Sequence, residues 1–120
     1  MPRSTDAIAF GAGRALFGVA ILATPGRITR AWVGADDTRS AVLARCLGGR
    51  DIVLGAGLVL AAARGQDPRP WLAGGALADA VDGIATLAAG GDIPGNGRLG
   101  TAALAGGSAL FGAWLASAID

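Results

Sequence analysis

Apolar residues run along this chain in four long stretches, at residues 7–24, 41–63, 70–91 and 99–119. Short connections marked by Pro, Gly and charge separate them, at Pro25-Gly26, from Pro68 to Pro70, and at Pro94-Gly95. Each stretch is close to the ~20 residues that a helix needs to cross a bilayer. None has the charged face that a helix of a soluble bundle sets opposite its apolar stripe. The first stretch offers only Arg14 as a strongly polar residue, and the fourth only Thr101, Ser108 and Ser117. The pattern predicts an all-α chain of four transmembrane helices in an antiparallel membrane bundle, forming one domain over residues 1–120.

The first stretch resembles a secretory leader only superficially. Arg3 gives it a weak positive flank, but Arg14 interrupts its apolar core and no clean cleavage site follows. The expectation is a retained helix.

Composition supports the membrane reading. Hydrophobic residues make up 52% of the chain and charged residues 16%, away from the balance of a soluble domain. The formal net charge of +1 implies no nucleic-acid partner. All ten cations are Arg and all nine anions are Asp, and His and Tyr are absent. The heavy use of Ala, Gly, Arg and Asp suggests a bacterial chain of a GC-rich genome. Without His there is no Ser-His or Cys-His nucleophile pair. Histidine-ligated zinc and haem are excluded too, so no metal and no cofactor is expected. The single Cys46 cannot form an internal disulfide, and its apolar surroundings in the sequence suggest a small buried hydrophobe.

The charges inside the stretches carry the main chemical signal. Arg14 lies in the first, Arg45, Arg50 and Asp51 in the second, Asp79 and Asp82 in the third. An ionised side chain in hydrocarbon costs at least ~2.5–3.5 kcal/mol, so such groups face a bundle interior and pair there. Asp79 and Asp82, three apart, share one helix face. Counting Arg14, Arg45 and Arg50 against Asp51, Asp79 and Asp82, the charges balance, as a closed network would require. Such a network either fixes helix register or serves a proton, an ion or a polar substrate group.

Glycines are dense on every stretch, among them Gly18, Gly55, Gly83 and Gly112. In lipid, small residues let helix backbones approach closely, and these four are expected at packing contacts. The connection over residues 26–40 alternates Ile28, Trp32 and Val33 with charged residues, which suggests a short interfacial helix. Trp32 and Trp71 are expected as interface anchors. Arg27, Arg30, Arg39 and Arg98 fall on one side of such a bundle. Arg3, Arg64, Arg69 and the N-terminal amine fall on the other, so the charge asymmetry that sets orientation is missing.

Asp79-Ala80-Val81-Asp82-Gly83 resembles the opening of the CDP-alcohol phosphotransferase motif. Thr86 and Leu87 stand where that motif has Ala and Arg. Its later metal-binding Asp residues are absent, so this reading is rejected. The run Ala44-Arg45-Cys46-Leu47-Gly48-Gly49-Arg50-Asp51-Ile52-Val53-Leu54-Gly55, with Asp67-Pro68-Arg69-Pro70-Trp71-Leu72 and Ala78-Asp79-Ala80-Val81-Asp82, resembles the uncharacterised small four-helix membrane proteins of actinobacteria. These include the DUF4267-like and DoxX-like groups. The resemblance covers the central half of the chain. It implies a multi-pass architecture in the bacterial cell membrane and no particular activity.

Two functions follow as expectations. One is a structural or accessory subunit, packed on itself as a homo-oligomer or on a larger membrane complex. The other is a small transporter or lipid-handling protein that uses an Asp79/Asp82 site at mid-depth. An enzyme is the weakest reading, since Asp and Arg alone support few mechanisms. A polar cavity open to one side would favour the second; a closed, fully paired network would favour the first.

Overall fold

The computed structural model describes residues 3–119, and among these every regular element is helical. Five α-helices follow in order: α1 (Ser4–Ala23), α2 (Pro25–Trp32), α3 (Thr38–Ala63), α4 (Arg69–Ala88) and α5 (Gly95–Ala118). A single 3-10 turn, Gly90–Asp92, joins the last two.

Local chemistry sets the boundaries. Asp37 caps α3, its carboxylate accepting from the Ser40 backbone N–H at 2.8 Å, so this helix starts three residues before the apolar stretch does. At the other end of α3 the N–H of Gln66 returns to the carbonyl of Ala61 at 2.8 Å, a closure that places Gly65 at φ 68°. Pro70 occupies the first turn of α4, where a missing N–H costs nothing. Just before it, Asp67 accepts from the side chain of Arg69 at Nε (2.8 Å) and Nη2 (3.1 Å), and from its backbone N–H at 3.0 Å. These bonds hold the exposed Asp67 carboxyl below its ordinary range. Gly90, at φ 57°, ends the helical run earlier than the apolar stretch predicts, so α4 stops at Ala88 instead of continuing to residue 91. The connection over residues 26–40 holds α2, with Pro25 at its start.

Three helices, α1, α3 and α5, are long and apolar enough to cross a membrane. With 20 residues α4 equals α1 in length but is not one of the three; its two carboxylates lower its hydropathy. The molecule measures 43 × 25 × 16 Å. Its long axis matches a bilayer with headgroups, about 40–45 Å.

The helices pack as two close pairs, α1 along α3 and α4 along α5, with α2 bridging α3 and α5. Gly11 lies against Gly55, and Gly18 against Gly48. These pairs are seven residues apart on each helix, which keeps one face of α1 on one face of α3. Here the absence of a side chain is required. A Cβ at Gly11 would stand 2.8 Å from the Gly55 carbonyl oxygen, and one at Gly48 would stand 2.8 Å from that of Gly18. Gly83 and Gly112 differ. The nearest atoms to a Cβ there lie at 3.6 Å and 3.5 Å, ordinary contact distances, so these two are not sites of forced backbone approach.

The apolar core collects at the end of the bundle where α1 starts and α5 finishes: Ala7, Leu58, Ala62, Leu72, Leu115 and Ile119. Large apolar residues also cover the outside. Leu43, Val53, Leu77, Ile84 and Leu110 are all more than half exposed. Cys46 lies on this outer surface as well, so it is not the buried hydrophobe that its neighbours in sequence suggested. Its side chain points away from α1 because Gly48 and Ala44 occupy the buried face of α3.

Arg3 stacks over the Trp114 ring at 4.8 Å, which sets the beginning of α1 beside the end of α5. At the opposite end the backbone of α2 lies against Gly97, the start of α5. The N-terminal amine, counted above for orientation, lies outside the described residues.

Candidate functional site

Midway along the bundle the close approach of α1 and α3 brings Arg14 level with Asp51. The two glycine pairs lie on either side of them. From α4, Asp79 and Asp82 point toward the same level, one helical turn apart. The result is one connected ionic network. Arg14 donates to Asp79 as a two-pronged fork, Nη1 to Oδ1 at 3.0 Å and Nη2 to Oδ2 at 2.5 Å. Arg50 forms the same fork with Asp82, at 2.9 and 2.6 Å. Asp51 joins the two forks, because its Oδ1 accepts from Arg14 Nη1 at 3.4 Å and from Arg50 Nη2 at 3.2 Å. Bidentate Arg–carboxylate pairs of this kind fix orientation as well as charge.

The fork between Arg14 and Asp79 is the deeper of the two. Both side chains are 8% exposed, against 31% and 18% for Arg50 and Asp82. Gly75, one turn before Asp79, makes room for it: a Cβ there would stand 3.2 Å from Arg14 Nη2. Arg14 also donates to Ser108 Oγ of α5 at 3.3 Å, and its guanidinium sits 5.6 Å from the Phe10 ring centroid. The network therefore takes a contact from each of α1, α3, α4 and α5. Gly75 does not stand out in the sequence, and Ser108 does so only as one of three polar residues in the fourth stretch. The one available signal was position: Gly75 shares a helix face with Asp79, and Ser108 is the polar residue nearest the middle of α5.

Arg45 takes no part. It is exposed on α3, away from the face that carries Asp51, and makes no ion pair with the network. The charge balance expected from the sequence thus does not hold within the cluster. Two guanidinium groups face three carboxylates. Asp51 carries the difference structurally: its Oδ1 holds both hydrogen bonds, while Oδ2 accepts none among the described residues.

Above this floor lies a cavity of about 660 Å³. Arg14, Asp51, Asp79, Asp82 and Ser108 form its floor. Phe10, Gly13 and Phe17 of α1 make one wall, Gly100, Thr101 and Leu104 of α5 the other, and Ile28 and Trp32 of α2 one end. The opposite end is marked by the edge-on contact of Phe10 with Phe111, centroids 5.0 Å apart. Between these ends α1 and α5 stand apart. Phe17 and Leu104 line the cavity while remaining 43% and 62% exposed, which puts its mouth on the outer surface between the two helices.

Trp32 is built into this site. Its Nε1 donates to Thr86 Oγ1 at 3.0 Å, and Thr86 Oγ1 donates to the Asp82 carbonyl at 2.6 Å. This relay pins α2 to α4 next to the shallower fork. Trp71 lies apart from the site, partly exposed on α4 with its ring against Gly57.

Among the described residues no set of three or more His, Cys, Asp or Glu side chains is placed to hold a metal ion. The Arg forks occupy both oxygens of Asp79 and of Asp82, which removes them as free ligands. No protein-family model, curated protein or solved structure matches the chain.

Proposed function

We propose that this is a four-span protein of the bacterial cell membrane that takes a lipophilic small molecule into the cavity between α1 and α5, the lipid-handling or small-transporter reading. The observation that carries it is the cavity itself: about 660 Å³, apolar on its walls, charged on its floor, with its mouth between two long apolar helices. Ligand sites have this character and volume, mostly apolar with a few placed polar groups. A network serving register alone would have been sealed by side chains. The purely structural reading needs small-residue faces free for a partner, and Gly11, Gly18, Gly48 and Gly55 are used within the chain, where they join α1 to α3.

In this reading α4 is the fourth span. Its 20 residues reach about 30 Å at 1.5 Å per residue, the thickness of the hydrocarbon core. Asp79 and Asp82 are tolerated at that depth because Arg14 and Arg50 satisfy them. The exposed Leu, Val and Ile side chains face acyl chains, and Arg45, two turns into α3, reaches the headgroups by its long side chain.

Two glycines provide a test that leaves the ionic floor alone. Gly13 and Gly100 line the cavity, and a Cβ at either meets nothing within 4 Å. Gly13→Phe and Gly100→Phe should fill the space without disturbing packing. In nanodiscs, a neutral diazirine-bearing fatty alcohol should label residues 9–17 and 96–108 of the native chain. The phenylalanine variants should lose that labelling, keep it on the outer positions Val53 and Leu77, and melt at the native temperature. Equal labelling of the cavity in native and filled proteins would overturn the proposal.

A further inference from the structure

We infer that the molecule the cavity accepts is a lipophilic monocation, an organic cation with an apolar body; this rests on the cavity being a ligand site as proposed above. Three observations converge on it. The first is the charge of the floor: Arg14, Asp51, Asp79 and Asp82 are the charged side chains lining the cavity, and Arg50, outside the lining, pairs with Asp82 and Asp51 from behind. With all five groups ionised, one negative charge is left over, and a cation held there would compensate it. Arg45, which would have cancelled it, lies outside the cluster.

The second is where that charge is available. Both guanidinium groups are forked to carboxylates through Nη1 and Nη2, and Arg50, whose buried Nε has no partner, does not line the cavity, so neither fork is open to an anionic ligand there. Asp51 lines the cavity, its side chain is only 6% exposed, and its Oδ2 accepts no hydrogen bond among the described residues. A carboxylate oxygen that lines a cavity without a donor is the complement of a cationic centre.

The third is the rest of the lining. Phe10, Phe17 and Trp32 offer aromatic surface around the space in front of the floor. Aromatic faces attract cations, the more so once both are desolvated. A bare inorganic ion would leave these walls unused and most of the 660 Å³ unfilled. An organic cation uses both features: its charge sits at Asp51 and its apolar part against Phe10, Phe17 and Leu104, reached through the mouth between α1 and α5.

Tetraphenylphosphonium and tetraphenylborate, nearly equal in size and opposite in charge, test this by competition against the neutral diazirine label in nanodiscs of zwitterionic lipid. The phosphonium should displace cavity labelling at a concentration at least about tenfold lower than the borate, since like charges at a buried site are strongly disfavoured. In Asp51→Asn, which leaves both Arg forks in place, that gap should close. If the cavity is labelled but the two ions compete equally, the charge inference fails while the lipophile site stands. If the native cavity takes no label, both fall. Selectivity that persists in a folded Asp51→Asn would also overturn the inference, by removing Asp51 as the counter-charge. The native comparison needs no variant, so it decides the matter even where Asp51→Asn does not fold.

Discussion

The five charged side chains at mid-depth are not equivalent, and the geometry ranks them. Arg14 holds the deepest contacts, a fork to Asp79, a bond to Asp51 and a bond to Ser108. Arg14→Gln would leave Asp79 buried without its fork and raise the negative surplus of the cluster. Breaking one partner of a buried pair typically costs ~3–5 kcal/mol. Arg14→Gln should therefore be the least stable of the single charge variants, and adding Asp79→Asn should recover part of the loss. Asp51→Asn should cost much less, because both forks survive and the charges then balance. Melting curves of the purified variants in one detergent check the order. A native melting temperature for Arg14→Gln, or no recovery in the double variant, would mean that the network does not stabilise the fold. In the sequence, Arg14, Arg50, Asp51, Asp79 and Asp82 stand out because each interrupts an apolar stretch. Their pairing does not: nothing local says that Arg14 meets Asp79 while Arg50 meets Asp82.

At the scale of elements, α1 and α3 depend on backbone contact, and α4 and α5 do not. A Cβ at Gly18 would meet the Gly48 carbonyl and come within 2.8–2.9 Å of Ile52. Gly18→Ala should push the two helices apart and destabilise by ~1–3 kcal/mol, the usual cost of overpacking. Gly83→Ala has room and should be neutral or stabilising by up to ~1 kcal/mol, since Ala is the better helix former. Paired thermal melts decide this, and an equal loss from both substitutions would contradict the packing described. Composition alone treats Gly18, Gly55, Gly83 and Gly112 alike, yet only the first two sit at backbone contacts. Seven-residue spacing does not mark them either, since Gly100 and Gly107 share it with Gly11 and Gly18, and a Cβ at Gly100 or Gly107 meets nothing within 4 Å. The helix boundaries were legible to within a few residues, because Pro and Gly punctuate the connections. They shifted where a cap decided the start, as Asp37 does for α3.

For the whole molecule, the number of spans has a direct consequence. Arg3 stacks on Trp114, so the two ends of the described chain lie together. With four spans both ends face the same compartment. With α1, α3 and α5 alone crossing, they would face opposite ones. Compartment-sensitive reporters fused before residue 3 and after residue 119 should give the same reading. Opposite readings would remove α4 from the membrane. The folded chain should also require detergent for extraction, given the exposure of Leu16, Leu77, Leu99 and Leu110.

By itself the sequence determined that the chain is helical, roughly where each helix lies, and how far along each apolar stretch the charges sit. These are one-dimensional properties, set by run length, by Pro and Gly, and by the cost of a charge in an apolar run. The tertiary structure decided what depends on rotation about each helix axis and on which helix neighbours which. It put Arg45 and Cys46 on the outside of α3 while Asp51 turned inward, because Ala44, Gly48 and Gly55 make that helix's buried face. It left α1 and α5 apart over their middle, because α1 is held to α3 by backbone contact and α5 to α4, and the two pairs meet through side-chain forks. The cavity, and the excess of three carboxylates over two guanidinium groups beside it, exist only through that arrangement. No count along the chain could have shown them, since counting includes Arg45 and folding does not.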